Sequence, residues 1–213
     1  HIKKINNVLI KNNIDFKVFL HSWKTKNNTQ KIWGKEIKIK QNYQDYKYLN
    51  PYKVRFDSQE EFINTIDISD YYKKNAKKEW LPCLIKNHLC ALESQNRVLN
   101  LACQDKLNFD YVIFVRPDVL IIDDLPIKKC INYLNINKKG IVIPNDHHNC
   151  GYNDRFSMIN MEYSNHYGNR IKLLKEYRLK HGRITSEKYT KYIIKKFYHL
   201  LLINFKFKIV RPS

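Results

Sequence analysis

Phe109-Asp110-Tyr111-Val112-Ile113-Phe114-Val115-Arg116-Pro117-Asp118-Val119-Leu120 is the stretch on which the reading of this chain turns. Phe109–Val115 reads as an apolar strand of the kind that sits centrally in a sheet covered on both faces. It stops at the turn Arg116-Pro117-Asp118, and Val119–Ile122 follows as a second short strand. In open α/β sheets, ligands bind where strands end, at their carboxyl edge. The polar triplet closing this strand is therefore the first place to look for chemistry.

Upstream, Ile2, Ile5, Leu9 and Ile10 recur at helical spacing and Asn12-Asn13 closes that helix. Phe16–Leu20 predicts a buried strand running into a loop at His21-Ser22-Trp23. Residues 24–52 are irregular apart from a strand at Glu36–Ile39. Val54–Phe56 reads as a strand, and Ser58-Gln59-Glu60-Glu61 as a helix start. From Trp80 to about Gln104 runs the longest helical pattern, with Pro82 in its first turn. Leu84, His88, Ala91, Leu92, Gln95, Val98, Leu99 and Ala102 trace its apolar face.

Downstream come a helix at about Leu125–Asn135, a strand at Gly140–Pro144, a polar loop at Asn145–Arg155 and a strand at Phe156–Ile159. Helices near Met161–Tyr167 and Asn169–Lys180 follow. Tyr189, Tyr192, Ile193, Phe197, Leu200 and Leu201 predict an amphipathic helix, and the alternation of Phe205, Phe207 and Ile209 with lysines predicts an edge strand. Strands alternating with helices argue an α/β fold around a mostly parallel sheet. No linker or repeat interrupts it, so residues 1–213 read as one domain.

Composition removes whole classes. The 213 residues are 43% apolar and 13% aromatic, which excludes intrinsic disorder despite a net charge of +19. The longest apolar run, Tyr198–Phe205, falls far short of the roughly 18 residues a membrane span needs. Nothing resembles a signal peptide. Five widely spaced cysteines with no CxxC give neither a zinc ribbon nor a disulfide framework, and predict mostly buried, reduced thiols in a cytoplasmic setting. The chain starts at His1, without Met and directly in a helical pattern, which predicts a missing upstream strand.

The charge is uneven. Residues 1–50 hold eleven Lys against three acids, and residues 170–213 hold thirteen Lys and Arg against two. The 119 residues between carry fifteen of each. Three uses fit basic ends: compositional drift in a chain rich in Lys, Asn and Ile, peripheral contact with an anionic membrane surface, or an anionic acceptor.

Three polar clusters fall at strand or helix ends. They are Arg116-Pro117-Asp118, Gly151-Tyr152-Asn153-Asp154-Arg155, and Ser186-Glu187-Lys188 at a helix start. Singly, each has a plain structural reading: Asp118 caps a turn, Asp154 pairs with Arg155, and Glu187 answers the dipole of its helix. Their order along the chain is what argues for a site.

The ordered set resembles GT-A-type glycosyltransferase domains of algae, large DNA viruses and bacteria. Phe109–Leu120 is similar to that family's "YDYVIRLRPDVLF" stretch. The likeness continues through Gly151–Phe156 and Ser186-Glu187-Lys188 to Arg211, and upstream through Asp15–Trp23, Asn50–Lys53 and Ser58–Phe62. It implies a GT-A-like, Rossmann-like fold whose first strand and nucleotide-contacting loop lie upstream of His1. It also implies transfer of a sugar, hexosyl or deoxyhexosyl, from a nucleotide-diphosphate donor to a glycan or glycoprotein acceptor, in a viral or host cytoplasm. Such domains use an Asp-x-Asp whose carboxylate binds Mn²⁺ or Mg²⁺ on the pyrophosphate; here Arg116 replaces the first acid. Two uses are open to Arg116, contact with phosphate or pairing with Asp118; the resemblance makes Asp118 the metal ligand, with Arg116 assisting the diphosphate. It makes Asp154 the first and Glu187 the second candidate for general base. Tyr152, Asn153, His21 and Arg211 become sugar, base or phosphate contacts.

Two rival readings come from other classes. Asp146-His147-His148-Asn149 has the Asp-His start of an HNH-type nuclease, and Cys150 stands beside it, but neither a ββα pattern nor a zinc partner pair follows. Nucleic-acid binding without catalysis would want exposed aromatics clustered in a basic groove, whereas most tyrosines here sit at core-like spacing. A non-catalytic relative is the third reading, supported by Arg116 in place of an acid.

Overall fold

The structure, a computed structural model, describes residues 3–25, 29–32, 35–38, 44–72 and 80–210, with backbone only for 29–32 and 35–38. In chain order, α1 spans Lys3–Lys11, β1 Phe19–Lys24, β2 Thr29–Ile32, β3 Lys35–Lys38 and β4 Lys53–Ser58. Helices α2 (Gln59–Asn64) and α3 (Pro82–Cys103) precede β5 (Tyr111–Val115) and β6 (Val119–Ile121). Then come α4 (Ile127–Ile136), β7 (Gly140–Pro144), β8 (Phe156–Asn160), α5 (Ser164–Gly168) and α6 (Leu174–His181). Helix α7 (Ser186–Phe197), β9 (His199–Ile203) and β10 (Phe207–Ile209) complete the order. The fold is mixed α/β.

Contacts divide the chain into two compact units, each assembled from separated stretches. His1–Lys17, Leu107–Tyr167 and Thr190–Ser213 form the first; Val18–Lys106 and Gly168–Tyr189 form the second.

The first unit is built on a four-stranded sheet of order β5-β8-β7-β9. β5 pairs antiparallel with β8, β8 antiparallel with β7, and β7 parallel with β9. The expected mostly parallel sheet is therefore a mixed one. The expected central position of the Phe109–Val115 strand is corrected too: among the described residues β5 pairs only with β8, at the edge of this sheet, while β7 and β8 are buried along their whole length. A continuous apolar run reports cover on a strand's two faces; it says nothing about hydrogen-bonding neighbours at its sides. An antiparallel ribbon of β6 and β10 stands beside the sheet. Ile5, Val8 and Leu9 of α1, Cys130 and Leu134 of α4, Phe156 and Met158 of β8, and Phe205 and Phe207 share one buried apolar cluster. Gly140 opens β7 where a Cβ would lie 2.7 Å from the Asn137 carbonyl, so this helix-to-strand turn admits no side chain.

The amphipathic helix expected to reach Leu201 ends at Phe197, and Leu200 and Leu201 belong to β9. The last helical hydrogen bond runs from Tyr198 N–H to the Ile194 carbonyl; the next residue, His199, donates instead to Lys139 beside β7. No Gly or Pro marks this switch. The parallel partner strand supplies it.

In the second unit, β1 and β4 pair parallel and β2 and β3 form an antiparallel hairpin. β1 begins at Phe19 rather than Phe16 and takes in His21, Ser22 and Trp23, which the sequence reading left in a loop; register with Lys53–Ser58 fixes these bounds. Ser58 caps α2 by accepting from the Glu61 N–H, as its Ser-Gln-Glu-Glu pattern predicts. Helix α3 packs on β1, β4 and α2 and on the turn Arg170–Leu173. Four residues of its expected apolar face, His88, Leu92, Leu99 and Ala102, are buried; Ile85 and Leu89 are buried beside them, while Ala91 is exposed.

All five cysteines are free, and only Cys90 and Cys130 are buried, fewer than expected. Burial pushes the Cys130 thiol up to about 12 and raises Cys90 as well, so neither thiol ionises near neutrality. Among the described residues no helix is long and apolar enough to cross a membrane.

Candidate functional site

The end of β5 and the start of β8 lie side by side. The Arg116 N–H donates to the Arg155 carbonyl at 2.9 Å, carrying the ladder one pair beyond Val115 and Phe156. The Asp118 carbonyl accepts from Val210 N–H at 2.8 Å, which anchors the turn at the end of β10. Two stretches nearly forty residues apart in sequence thus place four charged side chains in one cluster.

Arg116 grips Asp118 as a fork, donating through Nε to Oδ1 at 3.0 Å and through Nη2 to Oδ2. Its Nη1 lies 3.6 Å from Asp154 Oδ2, and Arg155 Nη1 lies 3.3 Å from Asp154 Oδ1. Two guanidiniums and two carboxylates balance in charge. Arg116 and Asp118 are 40% and 35% exposed, whereas the Asp154 and Arg155 side chains are 7% and 9% exposed. The outer pair faces water and the inner pair is nearly withdrawn from it.

The loop before β8 holds Asp154 in place. Asn153, fully buried, donates through Nδ2 to the Asp146 carbonyl at 2.8 Å and accepts the Arg155 N–H on Oδ1 at 2.8 Å. Its own N–H donates to His148 Nδ1 at 3.2 Å. An acceptor at Nδ1 puts the ring proton on Nε2, which reaches Asn145 Oδ1 at 3.3 Å. His147, Asn149 and Cys150 have left-handed backbone, with φ of 53°, 44° and 65°. Such angles persist in non-glycine residues only where surrounding contacts impose them. Asn153, expected to touch sugar or base, spends its amide on closing this loop. Tyr152 is half-buried beside His148, with Lys191 Nζ 5.5 Å from its ring centre.

The Asp-His-His stretch does not assemble a nuclease-like metal centre. His147 pairs with Asp146 at 2.9 Å and stacks on Phe207, while His148 serves the loop. Among the described residues no group of three or more His, Cys, Asp or Glu is arranged to hold a metal ion. The Asp118 carboxylate, expected as the ligand of Mn²⁺ or Mg²⁺, has both oxygens engaged by Arg116. As arranged, these residues do not fit a resident divalent metal.

Glu187 and His21 belong to the second unit. Glu187 is buried in the first turn of α7 and accepts from Ser186 Oγ at 2.9 Å. The His21 side chain, on β1, is covered from solvent between Ser94 Oγ at 2.8 Å and Asp57 Oδ2 at 3.0 Å. A carboxylate only accepts, so Nε2 carries the proton, and in the neutral ring Nδ1 accepts from the serine. Both ring nitrogens are thus engaged by the protein. Arg211 lies outside the described residues.

Around His21 the second unit carries a cluster the sequence reading missed. Asp57, the last but one residue of β4, receives Arg97 Nη1 and Arg55 Nε, each at 2.7 Å, as well as His21. Arg97 also donates to Glu93 at 2.7 Å and lies 4.9 Å from the ring centre of Trp23. Burial alone would raise the Asp57 carboxyl, but hydrogen bonds from Arg97, Arg55 and His21 outweigh it and hold the group at about 2. Burial pushes His21 down, opposed by its hydrogen bond to Asp57. The rule that drew attention to Asp118, an acid where a strand ends, applies equally to Asp57; Arg97, forty residues on, carries no such signal.

Comparison with protein-family models, curated proteins and solved structures found no match.

Proposed function

We propose that the chain is a nucleotide-sugar-dependent glycosyltransferase domain, moving a hexosyl or deoxyhexosyl group to a glycan or protein acceptor. The observation that carries this reading is the convergence of Arg116-x-Asp118 and Asp154 at one end of a sheet, in the chain order of the family that the sequence resembles. In this proposal Arg116, the exposed cation, neutralises the departing diphosphate. Asp154 takes the proton of the acceptor hydroxyl, and the two guanidiniums beside it favour the carboxylate form against the cost of burial. Asp118 holds the Arg116 fork in a fixed plane. Tyr152 offers an aromatic face of the kind that packs on a sugar ring.

The test is a hydrolysis and transfer screen across nucleotide sugars, with D154N and E187Q measured separately. Loss of the general base lowers turnover by about 10²- to 10⁴-fold. D154N is expected to fall in that range with little change in KM, and E187Q to stay near wild type. The opposite ranking moves the base to Glu187.

One observation favours a second reading, a domain that binds the donor without transferring it. Two guanidiniums on Asp154 make it a weak proton acceptor. Calorimetric binding of a uridine or guanosine diphosphate sugar, with no turnover toward any acceptor, is its signature.

A further inference from the structure

We infer that the Arg116 guanidinium is the resident cation of the Asp118 and Asp154 carboxylates, standing where a divalent metal would join them, so that the site takes a phosphate-bearing ligand without Mn²⁺ or Mg²⁺. The ligand's nature rests on the glycosyltransferase reading; the replacement of the metal does not.

Arg116 touches both carboxylates, both oxygens of Asp118 through its fork and Asp154 through Nη1 at 3.6 Å. Metal ions join acids in just this way, by taking an oxygen from each. The guanidinium is not a loose surface group, because its backbone N–H is fixed to Arg155 and its partner Asp118 to Val210. Arg155 approaches Asp154 on its other oxygen at 3.3 Å, so each carboxylate already faces a guanidinium. A dication entering here would meet two guanidiniums within a few ångströms of the two carboxylates. An oxyanion approaching from water meets Arg116 at 40% exposure before it meets Asp154 at 7%. Arg suits this substitution because its planar fork matches carboxylate and phosphate geometry and never loses its proton.

The experiment uses the whole chain and Mn²⁺ alone, followed by the electron paramagnetic resonance of the free ion. Wild type is expected to leave Mn²⁺ free up to millimolar concentration. R116D restores an acid two residues before Asp118 and is expected to bind Mn²⁺ at least tenfold more tightly, a gain that R116D/D118N loses. R116N, which adds no carboxylate and so spares the fold, is expected to gain in the same direction. Saturable Mn²⁺ binding by wild type that D118N abolishes overturns the inference, and so does the absence of any gain in folded R116D and R116N. A second arm titrates UDP and GDP by calorimetry in EDTA and in Mn²⁺. Equal affinity in both, weakened at least tenfold in R116N, supports the inference; affinity that requires Mn²⁺ overturns it. Failure of either nucleotide to bind under both conditions, with the Mn²⁺ results as expected, counts against the glycosyltransferase reading alone.

Discussion

Asp57 and His21 show at the scale of single residues how charge is committed in this chain. The Asp57 carboxyl is held at about 2, against an ordinary 3.8, by three donors that exist only in the folded state. A depressed acid stabilises the fold above its unfolded value, and that contribution disappears as pH falls through the folded one. The displacement corresponds to about 2 kcal/mol at neutral pH, fading between roughly pH 4 and pH 2. His21 acts earlier in an acid titration. Its folded value is lowered, so the folded state binds the proton less readily, and stability falls as pH drops below about 6.5. Thermal melts are expected to show a loss beginning below about pH 6.5 and a further one below about pH 4. In D57N the second step is expected to shrink; an unchanged acid limb in that variant removes Asp57 from the account. Arg116 and Asp118 are both legible in sequence, and so is the possibility of their pairing, but not that Arg116 closes on Asp118 as a fork. Residues two apart can point together or apart, and only the turn at Pro117 decides.

Among the elements, the ends of helices and strands divide into those with local causes and those without. β7 matches its expected bounds, Gly140–Pro144, because a glycine that tolerates no Cβ opens an apolar run that proline closes. α2 begins where its capping serine dictates. β9 had no such marker: His199–Ile203 has the composition of a helix end and becomes a strand because β7 offers unpaired backbone beside it. The period identifies helix α3 and half of its covered face, His88, Leu92, Leu99 and Ala102. Leu84, Ala91 and Gln95 sit at helical spacing as convincingly as Ile85 and Leu89, and the larger apolar area of the second pair brings it under cover beside His88, Leu92, Leu99 and Ala102. Leu89→Ala is therefore expected to cost about 2–5 kcal/mol, while Ala91→Ser stays within about 0.5 kcal/mol. Urea titration of both variants measures this; equal costs would restore the original face.

The whole molecule carries +19, and both ends of the chain contribute to it while the middle sums to zero. Neither charged quartet that the fold builds is responsible: Arg116, Asp118, Asp154 and Arg155 cancel, and the Asp57 cluster places Glu93 and Asp57 against Arg97 and Arg55. The excess sits on lysines outside these networks, where like charges repel across the surface. Raising NaCl from about 0.02 M to about 0.2 M shortens the screening length from roughly 20 Å to roughly 7 Å. The melting temperature is expected to rise by a few degrees over that range, because self-repulsion weakens more than the surface ion pairs do. A falling melting temperature would mean that exposed pairs such as Lys175 with Asp70 at 2.8 Å contribute more than repulsion costs.

The sequence by itself determined the mixed α/β class, most element positions, and the two polar stretches, 116–118 and 151–155, from which the candidate site is drawn. Those follow from periodicity, caps and turn residues, all of which act within a few positions along the chain. Tertiary structure alone decided that β5 lies beside β8 at the edge of its sheet, that the sheet is mixed, and that Asn153 and His21 are occupied by the protein's own hydrogen bonds. It also decided that Arg116 closes on Asp118 and Asp154 together. Strand partners and ion pairs are chosen by groups far away in sequence, through hydrogen-bond registry and charge at distances of a few ångströms, and no local pattern encodes them.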